Sequence, residues 1–297
     1  MGNLSPYVEI PRPGGEPGLA VNPLKEAVNG FHVVSDPLTV TLTAAGTVGS
    51  EDELEFLIDS NGHFDWTSIV GTQTFGTPAY FIEFFDTGRQ RKLQNRPVSS
   101  DNVVGTGQRL FKLPEPYFLN VGDGMRVVTA KVRNLLFAGN ITLRMALYGR
   151  RFYVHDAAPA VALELNRRWG GGERAYSYFL SPQEYPVDGT PPVVGAGGTT
   201  QFTFKADSDA DTDIHKLMVS STGSFTFTLR ERSTNRLLMT DAVLGSLGMG
   251  SAQFPFYYAD TLLLERDKEL VMDIVNTSGA NNRIAVTLAG RLLRYER

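Results

Sequence analysis

Apolar and polar residues alternate with a period of two through most of the chain. In the clearest segment, Leu38 to Thr43, apolar residues alternate strictly with threonines. Successive side chains of a β-strand point to opposite faces, so this pattern predicts strands with one buried and one wet face. The other alternating segments have their apolar positions at Leu54/Phe56/Ile58, Tyr80/Ile82/Phe84, Met125/Val127, Leu143/Met145/Leu147, Phe202/Phe204, Phe225/Phe227/Leu229, Leu270/Met272/Ile274 and Ile284/Val286/Leu288. No convincing amphipathic helix exceeds two turns, so the predicted fold class is all-β.

Turn residues separate these short strands, and the spacing leaves no room for crossover helices. Such a pattern predicts antiparallel sandwiches. About eight strands in roughly 100 residues fits a jelly roll or a similar Greek-key sandwich. The alternation does not separate these two topologies.

One motif, G-x-x-Q-x-x-F, occurs twice, at Gly105–Phe111 and at Gly250–Phe256. Its surroundings align without a gap from Tyr80/Phe225 to Met125/Leu270. After a loop that is longer in the first copy, Leu147-Tyr148-Gly149-Arg150 aligns with Leu288-Ala289-Gly290-Arg291. Apolar positions survive in order while few identities remain, which indicates a duplicated fold.

The repeat, together with the positions of proline and glycine, divides the chain into four predicted segments. They are an extended N-terminal arm (1–37), a first sandwich (38–155), a linker (156–199) and a second sandwich (200–297). Six prolines within residues 1–37 favour an extended path for the arm, either as a tail or ordered on a neighbouring subunit. The second sandwich carries a complete alternating set, so we expect residues 200–297 to fold alone.

Composition is that of a folded globular protein, with 42% hydrophobic and 20% charged residues. The net charge of −4 predicts no general attraction to nucleic acid. Local basic residues, at Arg89, Arg91, Lys92, Arg96 and Arg167-Arg168, are expected to be solvated loop charge. The absence of cysteine excludes disulfides, thiolate zinc sites and cysteine nucleophiles. No apolar run is long enough to cross a bilayer, and the first residues do not form a secretory signal, so we expect folding in the cytosol.

The repeated motif has a predicted structural cause. Glycine permits a close backbone approach, and we expect Phe111 and Phe256 to be core anchors. Gln108 and Gln253 would then bond loop backbone, with a ligand role as the less favoured alternative.

An acidic stretch places Asp207, Asp209, Asp211 and Asp213 at alternate positions. Oxygen ligands of this kind suit calcium. The EF-hand pattern is not met, because its sixth and twelfth positions hold Thr212 and Met218 rather than glycine and glutamate. A solvated turn that is indifferent to metal is the favoured prediction, and calcium binding stays open.

No catalytic constellation stands out among the titratable residues. None of the four histidines, His32, His63, His155 and His215, has a helical i, i+4 partner of a zinc protease. His63 and Asp65 could form an acid–base pair, but no G-x-S-x-G nucleophile accompanies them. We therefore nominate no catalytic, cofactor-binding or metal-binding residue and expect no enzyme and no cofactor.

The segment from Ile214 to Phe225, with the second G-x-x-Q-x-x-F and Ala289-Gly290-Arg291, resembles repeats of tailed-bacteriophage virion proteins. The first copy matches more loosely, at Phe64-Asp65-Trp66 and at Gly149 to Tyr153. This resemblance implies two β-sandwich copies and membership of the head, neck or tail structural set. It transfers no catalytic residue.

The leading functional prediction is therefore a non-enzymatic structural component of a tailed-phage virion, assembled in the host cytoplasm. It would be a head decoration or cement protein, or a head–tail neck or collar protein. We expect a homo-oligomer that binds major capsid, portal or neck proteins, without direct contact to nucleic acid or membrane. The alternative is a carbohydrate- or host-receptor-binding module of a tail or fibre, for which Trp169, Tyr257 and Tyr258 are the candidate loop aromatics. A hydrolase is a more distant alternative.

Overall fold

The computed structural model describes residues 7–10, 18–21, 28–35, 39–46, 50–58, 63–73, 80–119, 127–152 and 175–294. The strands of its first half are β1 (Tyr7–Ile10), β2 (Gly18–Val21), β3 (Val28–Ser35), β4 (Val40–Leu42), β5 (Glu51–Leu57), β6 (His63–Gln73), β7 (Phe81–Asp86), β8 (Arg91–Lys92), β9 (Val98–Ser99), β10 (Phe111–Leu119), β11 (Val127–Arg133) and β12 (Ile141–Phe152). Those of the second half are β13 (Ala175–Leu180), β14 (Val193–Val194), β15 (Thr199–Lys205), β16 (Ala210–Ser221), β17 (Phe225–Glu231), β18 (Val243–Leu244), β19 (Phe256–Leu264), β20 (Glu269–Asn276) and β21 (Asn282–Arg294).

Helix is confined to two single turns within the described ranges, α1 (Ser100–Val103) and α2 (Gly245–Gly248). None of the helices in this part of the chain has the length and apolar character needed to cross a membrane. The all-β prediction is confirmed.

Each half forms a sandwich of two antiparallel sheets. In the first, β3-β12-β6-β10 face β5-β11-β7-β8, with β4 added on β12 and β9 on β7. In the second, β13-β21-β16-β19 face β15-β20-β17-β18, with β14 added on β21. The strand orders correspond, with β18 as the counterpart of β9 and an isolated bridge between Arg230 and Leu237 in the place of β8. They are the orders of an eight-strand jelly roll.

The two sandwiches share one apolar core. Phe179 joins them, because its ring lies 6.4 Å from the ring of Phe84 and 6.0 Å from that of Phe111. Each sandwich adds its own buried aromatics, such as Trp66 against Phe84 at 5.4 Å in the first. All of these residues belong to one connected cluster of buried apolar side chains. The halves are therefore packed against each other rather than strung apart.

Backbone and side-chain hydrogen bonds also cross between the sandwiches. The Phe179 N–H donates to the Leu93 carbonyl at 2.9 Å. The amide of Asn95 bonds both backbone groups of Ser181, each at 2.8 Å. Because these groups lose their partners when the halves separate, the contact is specific in register as well as apolar.

Two strands lie outside the predicted sandwich boundaries. β3 falls inside the segment assigned to the arm, yet it pairs with β12 from Val28/Phe152 to Ser35/Ala146. β13 falls inside the segment assigned to the linker and pairs with β21. Both are edge strands that complete a sheet, and their apolar runs do not alternate strictly, so the period-two pattern passes over them. The rest of the predicted arm contributes a small hairpin, β1 with β2, and otherwise lies outside the described residues.

A buried asparagine holds the corresponding loop in each sandwich. The Nδ2 of Asn134 donates to the carbonyls of Thr43 and Gly139, at 2.7 and 2.9 Å. Asn276 makes the corresponding bond to Ala280 at 2.8 Å. The duplication therefore extends to individual polar contacts within the loops.

Candidate functional site: an uncovered sandwich face

The two repeated glycines lie where a loop approaches a strand backbone. The N–H of Gly105 donates to the Ile69 carbonyl at 3.2 Å, and the N–H of Gly71 donates to the Gly105 carbonyl at 3.0 Å. Gly250 makes the same two bonds within the second sandwich. A Cβ on either glycine would lie within 2.2 Å of a backbone atom of the following turn. This close approach, as predicted from sequence, is the reason for the glycines.

Replacing Gly105 with alanine should therefore destabilise the fold by at least about 1–3 kcal/mol, the usual cost of overpacking. The backbone, rather than a flexible side chain, would have to move. Gly107→Ala in the same loop is the matched control, since no atom lies within 4 Å of a Cβ there. Urea unfolding of both variants measures the difference, and similar losses would contradict a steric role for Gly105.

The glutamines of the motif, Gln108 and Gln253, are exposed at the loop surface. They do not sit in the core beside the phenylalanines. The two loops contact each other through a different pair, with the Arg109 guanidinium 4.1 Å from the centre of the Phe254 ring. The repeated motif thus helps to hold the two sandwiches together at this point.

A second repeated element pairs an aspartate with an arginine across strands at a β-bulge. Asp213 accepts hydrogen bonds from Arg291 Nη2 at 2.5 Å and from His215 Nε2 at 3.1 Å. Burial acts to raise the pKa of Asp213, but the bonds from Thr261, Arg291 and His215 outweigh it and lower the pKa below the ordinary value. Asp213 is therefore an ionised structural carboxylate.

Asp65 occupies the corresponding register position in the first sandwich, opposite Arg150. Here Arg150 is exposed and Asp65 is buried. Burial raises the pKa of Asp65 to about 6, a shift that the charge of Arg150 reduces and that of Glu115 increases. At the same position, hydrogen bonds thus favour the ionised carboxylate in the second sandwich, whereas burial opposes its ionisation in the first.

Replacing Asp65 with asparagine should raise stability at pH 7.5 by up to about 3 kcal/mol, since one pKa unit is worth about 1.4 kcal/mol. The folded pKa is about 6 and the ordinary value is 3.8, so ionisation opposes folding above pH 6. The gain should shrink as the pH falls from 6 and vanish near 4. Thermal unfolding at pH 4 and 7.5, with the exposed Asp241→Asn as control, measures it. A gain that is equal at both pH values would contradict this assignment.

The acidic stretch does not form a metal site in the described part of the chain, where no group of three or more metal-binding side chains converges. Its members face different partners. Asp209 lies 3.6 Å from Arg294, and Asp211 accepts the Arg266 N–H at 2.8 Å. The prediction of a solvated turn is wrong for Asp211 and Asp213, which are buried because β16 already begins at Ala210. Indifference to calcium stays a prediction.

Of the four histidines, the structure places the side chain of His215 alone, beside Asp213. His32 and His63 fall on β3 and β6 by their backbones, and His155 lies outside the described residues. The side chain of His63 lies outside what the structure describes, so a pairing of His63 with Asp65 stays a hypothesis. Trp169 and Arg167-Arg168 also fall outside the described ranges.

The predicted basic loop residues are only partly solvated. Arg91 lies with its guanidinium 4.4 Å from the centre of the Tyr176 ring, in the other sandwich. Arg96 also reaches across, donating to the Gln183 carbonyl at 3.3 Å. These charges line the groove between the halves and contribute to their contact.

In the first sandwich, the side that carries β10 is covered by the second sandwich. Phe111 is fully buried there, under Phe179 and beneath the ammonium of Lys216, which lies 4.5 Å from the ring centre. Lys216 also donates to the Lys112 carbonyl, and burial lowers the pKa of Lys216 to about 8. From α1, the Nδ2 of Asn102 donates to the Ala285 carbonyl at 2.9 Å.

In the second sandwich, the corresponding side is exposed as far as the described residues show. We call it the β19 face, and define it by residues that align with the covered side of the first sandwich. Its members, with their exposed fractions, are Leu244 (44%), Leu247 (71%), Phe256 (38%), Tyr257 (55%) and Leu263 (50%). The aligned residues of the first sandwich are Ser99, Asn102, Phe111, Lys112 and Phe118, of which all but Lys112 are buried.

The prediction that Phe256 is a core anchor is therefore wrong. Phe111 is buried because another sandwich lies against it, and no described residue covers Phe256 in the same way. Of the candidate aromatics, Tyr257 is exposed on this face and Tyr258 is half-buried with its ring 5.9 Å from that of Phe256.

No protein-family model matches the chain, and no curated protein matches it. Among solved structures, the major capsid protein P2 of bacteriophage PM2 is similar with a TM-score of 0.47 and 8% identity, over 90% of this chain and 99% of that one. PNGase F, a glycosylasparaginase from Flavobacterium meningosepticum, is similar with a TM-score of 0.43 and 11% identity, over 90% and 96%. At these values the capsid role and the glycosylasparaginase activity remain properties of those proteins.

Proposed function

We propose that this chain is a non-enzymatic structural protein of a tailed-phage particle, as a head decoration, cement, neck or collar component. It multimerises and binds neighbouring proteins of the assembled virion. The observation that carries this proposal is the β19 face. This face has five exposed large apolar side chains, and exposed apolar surface beyond single scattered residues supports a role in protein–protein contact.

The position of the face on the fold supports an assembly role. β19 is nine residues long and ends its sheet, with β16 on one side. A long edge strand with apolar side chains and free backbone groups promotes association unless a partner covers it. Natural edge strands are often protected by charge or proline, and β19 carries one charged residue, the exposed Asp260.

The ionisable groups at the sandwich contact support a role without catalysis. Asp213, His215 and Arg291 satisfy one another, and Lys216 is held between the rings of Phe111 and Tyr257. These arrangements fix strands and the contact between halves.

The proposal is tested by particle incorporation of full-length variants. Leu247→Asp and Phe256→Asp place a charge on the β19 face, and the control Val193→Asp places one on β14, at the opposite edge of that sheet, where Val193 is 49% exposed. We expect the first two to lower the copies per purified particle at least about tenfold, the effect of roughly 1.4 kcal/mol of lost binding, and the control to be retained. Absence of the unaltered protein from particles would overturn the proposal, as would full incorporation of both face variants.

A second function, binding of carbohydrate or a host receptor by a tail or fibre module, is favoured by one observation. Tyr257 is an exposed aromatic ring, 55% accessible, and Phe254, whose ring contacts Arg109, is 59% accessible. If this function holds, Tyr257→Ala should abolish binding on a glycan array or adsorption to cells while incorporation into particles persists. Binding to neither glycans nor cells would remove this alternative.

A further inference from the structure

We infer that the β19 face binds a second copy of this chain, against the side of that copy's first sandwich that carries β3. The inference rests on the proposed function, because it names the partner of the same surface. It is drawn from the contact that the two sandwiches already make within one chain.

Apart from the contact between the two motif loops, the contact inside the chain is head-to-tail, since it joins two different sides of the repeated unit. The β10 side of the first sandwich meets the β13 side of the second, as the Phe111–Phe179 packing shows. In the repeat, β19 corresponds to β10, and β3 corresponds to β13. Within the described part of the chain, β19 ends the sheet of the second sandwich and the backbone of β3 ends that of the first, so each is a half of this contact without its counterpart.

Backbone register supports the correspondence of β3 with β13. Tyr178 pairs with Gly290 in the second sandwich, and His32 pairs with Gly149 in the first. One residue further along, Val33 holds the register position of Phe179, the residue that covers Phe111. An apolar residue thus stands at the place from which Phe256 would be covered.

The chemistry of the β19 face fits a contact between separate chains. Compared with the covered side, Ser99 is replaced by Leu244, Asn102 by Leu247 and Lys112 by Tyr257. Halves of one chain are tethered, whereas separate copies must offset the loss of translational and rotational freedom on binding. Additional apolar area on the β19 face favours that association.

A head-to-tail contact repeats from copy to copy, and it closes into a ring or continues as a filament according to its rotation. Two identical β19 faces meeting each other would instead give a closed dimer. The test must distinguish a second copy from two other occupants of the β19 face. These are residues 1–27 of the same chain and a different virion protein.

Cysteine pairs test the partner directly, because the chain has no cysteine of its own. The reciprocal bonds between Asn95 and Ser181 mark a close pair across the internal contact. The corresponding positions of the outer contact are Thr240, which is exposed, and Ser35 at the end of β3. Full-length Ser35→Cys/Thr240→Cys protein, treated with a short bismaleimide, should form covalent multimers on a denaturing gel.

Control variants test whether the contact between copies is head-to-tail. Each single cysteine variant should stay monomeric after treatment, and adding Phe256→Asp to the double variant should abolish the multimers while its circular dichroism stays unchanged. Asn95→Cys/Ser181→Cys should give only internally linked monomer. Covalent dimers from Thr240→Cys alone would overturn the head-to-tail contact, and so would a monomeric double variant.

Two further outcomes separate this inference from the proposed function. If the double variant stays monomeric but Phe256→Asp still blocks particle incorporation, the face binds another virion protein, and the second copy is excluded as its partner. If deletion of residues 1–27 is needed before multimers form, the chain's own N-terminal segment occupies the face, which also overturns the inference. Multimers of a chain that is absent from particles would sustain the inference and overturn the proposed function.

Discussion

Replacing Phe111 with alanine should lower the free energy of unfolding by about 3–5 kcal/mol, whereas Phe256→Ala should cost less than about 1 kcal/mol. The two residues hold the same place in the repeated motif and the same register in their strands. They differ in burial, since Phe111 is fully buried and Phe256 is 38% exposed. Truncation of a buried ring leaves a cavity, and truncation of an exposed ring leaves water.

Urea unfolding at concentrations where the chain is monomeric measures both losses. The protein must be dilute, because self-association through the β19 face at high concentration would stabilise the folded chain. The loss measured for Phe256→Ala would then include lost association. Each variant serves as the control of the other. Equal losses would show that the two sides of the repeat are covered alike, and the distinction between a covered and a free face would fail.

Residues 200–297 expressed alone should not unfold cooperatively, contrary to the expectation from their complete strand pattern. The fragment lacks β13, which pairs with β21 from Ala175/Leu293 to Leu180/Leu288. It also exposes the surface that packs on Phe111 and leaves the Ala285 carbonyl without the amide of Asn102. Loss of a sheet strand together with a shared core removes several kcal/mol, comparable to the whole stability of a small domain.

Calorimetry or thermal circular dichroism of the fragment tests this expectation. A fragment of residues 175–297 restores β13 and should be the more stable of the two, while the full chain should unfold in one transition. A sharp, cooperative transition of residues 200–297 near that of the full chain would contradict the shared core.

The strand pattern and the duplication could be predicted because both are local in sequence. Alternation in segments such as Phe225/Phe227/Leu229 reports one buried face directly. The edge strands β3 and β13 were outside the predicted sandwiches because each lies in a stretch rich in proline and glycine and lacks strict alternation. Their assignment depends on pairing with β12 and β21, which is non-local.

The difference between Phe111 and Phe256 could not be predicted from the motif that they share. It arises from a contact between sandwiches that no local pattern encodes. A signal was nevertheless present in the aligned positions, where Leu244 and Leu247 replace Ser99 and Asn102. Apolar residues gained at the edge of only one copy indicate that the two copies face different surroundings.

In the acidic stretch, a polar pattern predicted solvent exposure where the fold buries part of the segment. Alternating aspartates from Asp207 to Asp213 are typical of a wet loop, but a strand buries Asp213 against Arg291. The arginine that makes this possible lies far along the chain, on β21. Sequence spacing alone therefore assigns the stretch to solvent.

Hydroxyl-radical footprinting of the chain, free at low concentration and within purified particles, tests the central claim most directly. We predict that oxidation of Phe256, Tyr257 and Leu247 falls several-fold in particles, because a partner covers the β19 face. Oxidation of Val193, which is 49% exposed on β14 at the other edge of the same sheet, serves as the reference for exposure that assembly through this face leaves unchanged. Equal oxidation of the β19 face in both states would show that assembly does not use it, and would contradict the account.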